Sequence, residues 1–229
     1  MTIAIGNIGD HILYKNNQLL AFNKPPALPV QADKTGDKSL LELAEIYCQS
    51  RLHLIHRLDR PASGLVLLAK NPKALAHLNA QFRDRSIHKT YLALVQQAPP
   101  QPAGELKHYL HKDGRSNRST VSAEARSGSK LATLRYRLLG SLDRYHLLEI
   151  DLLSGRHHQI RAQLAAIGCP IKGDVKYGFR RSNRDRSIHL HAWKLAFEHP
   201  VSGERVELCA PAPVDPLWQA CEDFLTARS

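Results

Sequence analysis

One junction constrains this chain more than any other feature: His56-Arg57-Leu58-Asp59-Arg60-Pro61-Ala62-Ser63 runs straight into Gly64-Leu65-Val66-Leu67-Leu68-Ala69. The second half is an apolar run of the length expected for a buried strand, so charged chemistry sits at the entrance to a core element. An acid between two arginines is held as the carboxylate, because neighbouring positive charge favours that form. Such a group suits attack on, or stabilisation of, a cationic sugar centre. A surface salt-bridge turn fits the same residues equally well.

The surrounding sequence alternates short strands with scattered helices. His11–Tyr14 and Gln18–Phe22 read as a hairpin around Asn16-Asn17, and Lys24-Pro25-Pro26 then stiffens the backbone. A helix is expected near Ser39–Ser50 with Ser39 as its cap, and another after Asn71-Pro72 with Leu75, Leu78 and Phe82 on its buried stripe. Tyr91–Gln96 reads as a strand, and the proline-rich Gln97–Gly104 as a connector between lobes. Lys130–Leu139 and Arg144–Leu152 are expected to pair antiparallel. His158–Ile167 reads as a helix stopped by Gly168, and Arg180–Arg186 as an exposed basic loop, mobile without a ligand. Strand-like runs at Ile188–Phe197 and Arg205–Cys209 precede a closing helix after Pro216. The pattern is that of an α+β domain rather than a regular βαβ sheet.

Composition narrows the function class. With 32 Lys+Arg against 21 Asp+Glu in 229 residues, the formal charge of +11 attracts a polyanion such as nucleic acid. A solvated basic surface with no such ligand has the same balance. Met1–Asp10 lacks the pattern of a secretory signal, and no apolar run is long enough to span a bilayer, so a cytoplasmic location is expected. Cys48, Cys169, Cys209 and Cys221 are scattered without a C-x-x-C pair and read as reduced thiols. The 13 histidines invite a metal reading, but adjacent His157-His158 on a helix would diverge, and His189 with His191 would need further ligands; no metal is expected. No dinucleotide fingerprint or phosphate-cradling loop implies a cofactor.

The motif His56-Arg57-Leu58-Asp59 with Ser63-Gly64-Leu65 resembles the signature of the RluA family of RNA pseudouridine synthases, with Ala62 where that family usually has Thr. Further blocks follow in the family's order: Asn23-Lys24-Pro25, Gln81-Phe82-Arg83 with Lys89-Thr90-Tyr91, and Ser154-Gly155-Arg156-His157-His158-Gln159-Ile160-Arg161 with Ser154 in place of Thr. Gly168-Cys169-Pro170-Ile171-Lys172-Gly173-Asp174, His189-Leu190-His191-Ala192 and His199-Pro200 complete the series. The resemblance runs from Asn23 to Pro211, and the ordered set is far more specific than any one block.

That resemblance implies the pseudouridine synthase catalytic fold: a mixed, mainly antiparallel sheet flanked by helices, in one catalytic domain over 1–229. Two lobes, roughly 1–97 and 105–229, are expected around a central cleft, with no room for an N-terminal S4 RNA-binding domain. It implies that Asp59 is the catalytic aspartate, Tyr91 the aromatic residue over the target base and Arg161 the partner of the carboxylate. Arg57 would enter the RNA stack as the uridine leaves; Arg60, Arg156, Leu190, Arg180 and Arg181 are candidate contacts to substrate or RNA, with a solvated surface an equal reading for Arg60 and for the Arg180–Arg186 loop. The expected partner is a structured ribosomal or transfer RNA, bound by a monomer. Read from the residues alone, Tyr91 is a strand tyrosine packed in a core and Arg161 an exposed helix residue. A catalytically silent RNA-binding module and a nuclease using His157 or His189 are the rival readings.

Overall fold

The computed structural model describes residues 6–226; the first half of the Met1–Asp10 stretch lies outside them. The chain runs β1 (Ile12–Lys15), β2 (Leu19–Lys24), α1 (Leu40–Cys48), β3 (His53–Leu54), β4 (Ser63–Ala69), α2 (Pro72–Asp84), β5 (His88–Val95), β6 (Ala103–Asp113), β7 (Arg118–Ser122), β8 (Lys130–Ser141), β9 (His146–Leu152), α3 (Gln159–Ala166), β10 (Leu190–Glu198), β11 (Arg205–Cys209), α4 (Pro216–Gln219) and α5 (Glu222–Thr226). The strands pair mostly antiparallel, as an α+β fold requires. Among the described residues two compact units form, one from 6–89 with 191–212 and the other from 90–190 with 213–226. The chain therefore leaves the first unit and returns to it, and Gln97–Gly104 falls inside the second unit.

In the first unit β4 is buried along its whole length, as its unbroken apolar sequence demands. It is flanked by β2, antiparallel from Leu19↔Ala69 to Lys24↔Gly64, and by β10, parallel at His191↔Ser63 and Ala192↔Gly64. The short β3 pairs with its far end. The β1–β2 turn forms because the Asn16 side-chain oxygen accepts the N–H groups of Gln18 and Leu19, both at 2.8 Å. Ser39 and Glu42 form a reciprocal capping box at the start of α1, and Asn71 caps α2 with Pro72 in its first turn.

The second unit orders its strands β5-β9-β8-β6-β7. The expected pairing of the two strands around residue 140 is the β8–β9 hairpin, from Leu134↔Leu152 to Ser141↔His146. The β6–β7 hairpin was not expected. Exposed, mostly polar residues alternate along its strands with half-buried ones, which leaves little apolar signal in the sequence. The closing helix is broken into α4 and α5. His158 precedes α3 with φ at +51°, so His157 and His158 do not share the helix and diverge; their rings stack with centroids 3.8 Å apart.

Candidate active site

Asp59 lies on the loop between β3 and β4, and the side chains of Lys24, His56 and His191 fasten that loop. Lys24, at the end of β2, is fully buried. Its ammonium donates to the carbonyls of Pro25 (2.8 Å), Leu28 (3.0 Å), Arg60 (3.3 Å) and Ala62 (2.6 Å). Two of those carbonyls belong to the residues that follow Asp59 in the loop. Burial pushes the ammonium down to about 7, and the negative charge of Asp59 opposes that fall. The loop also closes on itself, since Ala62 N–H donates to the Asp59 carbonyl at 3.1 Å. Ala62 is buried, and both its backbone groups are used in these bonds, which need no side-chain hydroxyl.

His56 begins the same loop. Where β3 stops pairing with β4, its Nε2 accepts the N–H of Leu67 at 3.1 Å, so the ring continues the edge that the backbone abandons. Burial, with the Lys89 charge adding to it, pushes His56 down to about 3 and keeps the acceptor unprotonated. At the loop's end, His191 on β10 lies wholly buried. Its Nε2–H donates to the Ala210 carbonyl at 3.0 Å, which leaves Nδ1 to accept from the Ser63 hydroxyl at 2.9 Å. Gly64 follows with φ at +110°, and a Cβ there would stand 2.3 Å from the Ala192 carbonyl oxygen.

Arg57 is exposed and Asp59 half-buried. Arg60 does not extend into solvent: its guanidinium holds Asp33 at 3.0 Å and Thr35 Oγ1 at 2.6 Å, and pairs with Asp37 as well. These contacts tie the exposed segment 31–38 to the loop and hold both carboxyls below their usual range; for Asp33 the Thr35 hydrogen bond leads, for Asp37 the Arg60 one.

The second unit carries the other expected residues. Tyr91 on β5 pairs with Ile150 and is 8% exposed. Arg161 on α3 is 4% exposed, so it is not the surface residue that periodicity alone suggested. Its Nε and Nη2 donate to the two oxygens of Asp174 at 2.7 and 2.8 Å. Asp174 is 1% exposed. Tyr177 lies beneath the guanidinium, 5.1 Å from ring centre to Cζ.

Ser154 keeps the hydroxyl of the threonine it replaces. It accepts from Thr133 N–H at 2.8 Å and donates to Gln159 Oε1 at 2.8 Å, while Gln159 also takes Arg156 N–H at 3.0 Å. That bracing fixes the turn ahead of α3. Arg156 Nε donates to the Leu131 carbonyl at 3.1 Å, and Leu190 is buried. Arg180 and Arg181 are exposed on the excursion between Lys172 and His189, whose stems are zipped by His189 N–H to the Lys172 carbonyl at 3.0 Å. Asn183 spans the excursion, donating to Ser187 Oγ at 3.0 Å and accepting from Lys172.

Sequence reasoning missed Lys24, Asp174, Tyr177 and His191 as functional supports. Lys24 had one readable signal: it is a charge ending the buried run Leu19–Phe22. Asp174 closes one of the family blocks, but nothing in the sequence tied it to Arg161, because only the fold brings the two together. Among the described residues no group of three or more His, Cys, Asp or Glu is placed to hold a metal, and no helix is long and apolar enough to cross a membrane.

Comparison with known proteins identifies the family. The family model of RNA pseudouridylate synthases matches residues 18–166. The ribosomal large subunit pseudouridine synthase C of Rickettsia felis is 32% identical over 208 residues, covering 89% of this chain and 68% of that protein. The ribosomal large subunit pseudouridine synthase D of Zymomonas mobilis is 31% identical over 89% of this chain and 69% of its own. Among solved structures, human RNA pseudouridylate synthase domain containing 4 superposes with a TM-score of 0.75 at 25% identity, over 96% of this chain and 94% of the human one. The chain belongs to the RNA pseudouridylate synthase family, on its RluA-type branch. It is an isomerase acting on RNA.

Proposed function

We propose that this pseudouridine synthase acts on ribosomal RNA, with Asp59 as its catalytic carboxylate and an extruded uridine as the reacting nucleotide. The observation that carries the reading is the fixing of the Asp59 loop by its backbone. The carbonyls of Arg60 and Ala62 are held by Lys24, while His56 and Ser63 anchor the two ends. A carboxyl on such a loop is pre-organised by the backbone that carries it.

The chemistry follows from the substrate. The glycosidic C1′–N1 bond breaks as Asp59 acts at the sugar, the uracil turns while held, a C1′–C5 bond forms, and the C5 proton is lost. Tyr91 stacks on the base with its oxygen near C5, positioned to take that proton, and Arg161 supports the Asp59 carboxylate. Neither C1′ nor C5 can be worked on inside a stacked helix, and extrusion costs a few kcal/mol. Exposed Arg57 enters the stack in the uridine's place, and exposed Arg180 and Arg181 contact phosphates. The names of the Rickettsia and Zymomonas relatives favour the large-subunit RNA over transfer RNA.

The test is tritium release from uridine labelled at C5, with ribosomal and transfer RNA fractions assayed separately from cells lacking the gene. Wild-type protein should release tritium from the ribosomal fraction. Asp59→Asn should lower the rate by more than about 1000-fold while still binding RNA. A fully active Asp59→Asn variant would sink the assignment of the carboxylate, and release from transfer RNA alone would sink that of the substrate.

A further inference from the structure

The proposed mechanism uses Arg161 but not the groups that hold it. Arg161 and Asp174 are both almost wholly buried, and the contact is side-on: Nε and Nη2 each donate to a separate carboxylate oxygen. A side-on pair uses one edge of the planar guanidinium and directs the remaining three N–H groups away from Asp174. Tyr177 adds a second restraint. Its ring lies 5.1 Å from Cζ of Arg161, while its hydroxyl accepts Ser119 N–H at 2.7 Å and meets His158 Nδ1 at 3.0 Å. Asp174 and Tyr177 belong to a single turn, in which Tyr177 N–H donates to the Asp174 carbonyl at 3.0 Å. One turn thus fixes both the edge and the face of the guanidinium.

We propose that Asp174, assisted by Tyr177, is a positioning residue for the isomerisation, setting the orientation in which Arg161 presents its remaining N–H groups to the reacting carboxylate. The inference rests on the reading that Arg161 serves Asp59. A pair kept only for stability would be a poor use of two buried charges, since an apolar pair of the same volume often holds a fold as well. A pair kept for orientation has to be bidentate, and this one is.

The experiment compares single-turnover tritium release, RNA binding and denaturant unfolding for wild type, Asp174→Asn, Asp174→Glu, Arg161→Lys and the Arg161→Lys/Asp174→Asn double variant. Asp174→Glu keeps the charge that compensates Arg161, so it should unfold close to wild type, yet it displaces the carboxylate by one methylene. Both Asp174 variants should slow release by about 10- to 100-fold with RNA affinity little changed, the scale of misplacing a reacting group by about 1 Å. If Asp174→Asn does not fold, Asp174→Glu decides alone. In the Arg161→Lys background, Asp174→Asn should cost less than about 3-fold more, because the two act as one unit. A folded Asp174→Glu protein with the wild-type rate, or full additivity in the double variant, overturns the proposal while leaving the role of Arg161 intact. An Arg161→Lys protein with the wild-type rate overturns both.

Discussion

The two units hold their proposed reacting groups in opposite ways. In the first, Asp59 is placed by its backbone: Lys24 grips carbonyls on the loop, His56 takes an N–H from β4, and His191 anchors Ser63. In the second, Arg161 is placed by its side chain, through a buried carboxylate and an aromatic face. The difference follows from length and charge. A short aspartate on a loop can be aimed by fixing the loop, whereas a long arginine on a helix must be gripped near its end, where its rotamer freedom lies. Variants in the first unit should therefore act through backbone geometry and fold stability, whereas in the second a variant that keeps the charge of the buried pair, Asp174→Glu, should act mainly through rate.

The largest effect that sharpens this contrast is expected at glycines. Gly64→Ala meets a backbone oxygen at 2.3 Å and a backbone nitrogen at 2.6 Å, at φ +110°. No side-chain motion relieves either contact, so the variant should lose more than about 4 kcal/mol of stability or fail to fold. Gly168→Ala, after α3, has φ at +79° but nothing within 4 Å, and should cost about 1 kcal/mol. Guanidinium unfolding of the two variants measures the gap, and equal midpoints would mean that β10 does not need its close approach to β4.

Lys24→Met comes next. It keeps the volume and removes the donor, leaving the carbonyls of Pro25, Leu28, Arg60 and Ala62 without it. Part of the loss is offset, because the cost of burying the ammonium disappears with it. A net destabilisation of about 2 kcal/mol is expected, with turnover reduced by about 10-fold or more as the Asp59 loop loosens. Wild-type turnover in this variant would show that the loop is held by something other than Lys24.

How much of this was readable beforehand differs between the units for a physical reason. The loop and strand around Asp59 are contiguous in sequence, so the junction of charges with an apolar run was enough to place the candidate carboxylate beside a core strand. The caps at Ser39 and Asn71 were equally local. The support of Arg161 depends on residues 13 and 16 positions away that meet it only through the turn after α3, and no periodicity encodes that meeting. The β6–β7 hairpin was hidden because basic side chains face solvent along it and leave little apolar signal. Arg60 is the converse case. The sequence left phosphate contact and solvated surface equally open for it, and neither pointed to Asp33, Thr35 and Asp37, the partners that the fold supplies from more than twenty positions away.

The smallest effect tests whether His191 is an anchor that must stay neutral. Burial, reinforced by the Lys24 charge, pushes His191 down to about 4, against a hydrogen bond to Ala210 that acts the other way. In the unfolded chain the ring titrates near its ordinary value of 6.5. Above 6.5 neither state is protonated and the full stability is present. As the pH falls below 6.5 the unfolded state takes up a proton that the folded state refuses, so stability declines until about pH 4, where the folded ring is protonated too. Between pH 7.5 and 5.5 this linkage amounts to about 1 kcal/mol. His56, pushed down to about 3, contributes a similar fall over the same interval. His191→Gln should remove about 1 kcal/mol of the fall in stability between pH 7.5 and 5.5 in urea unfolding, even though it weakens the protein at every pH. A slope unchanged from wild type would mean that the ring meets its proton in the folded state as readily as in the unfolded one, and the loop would then be anchored at Ser63 by a charged group instead of a neutral one.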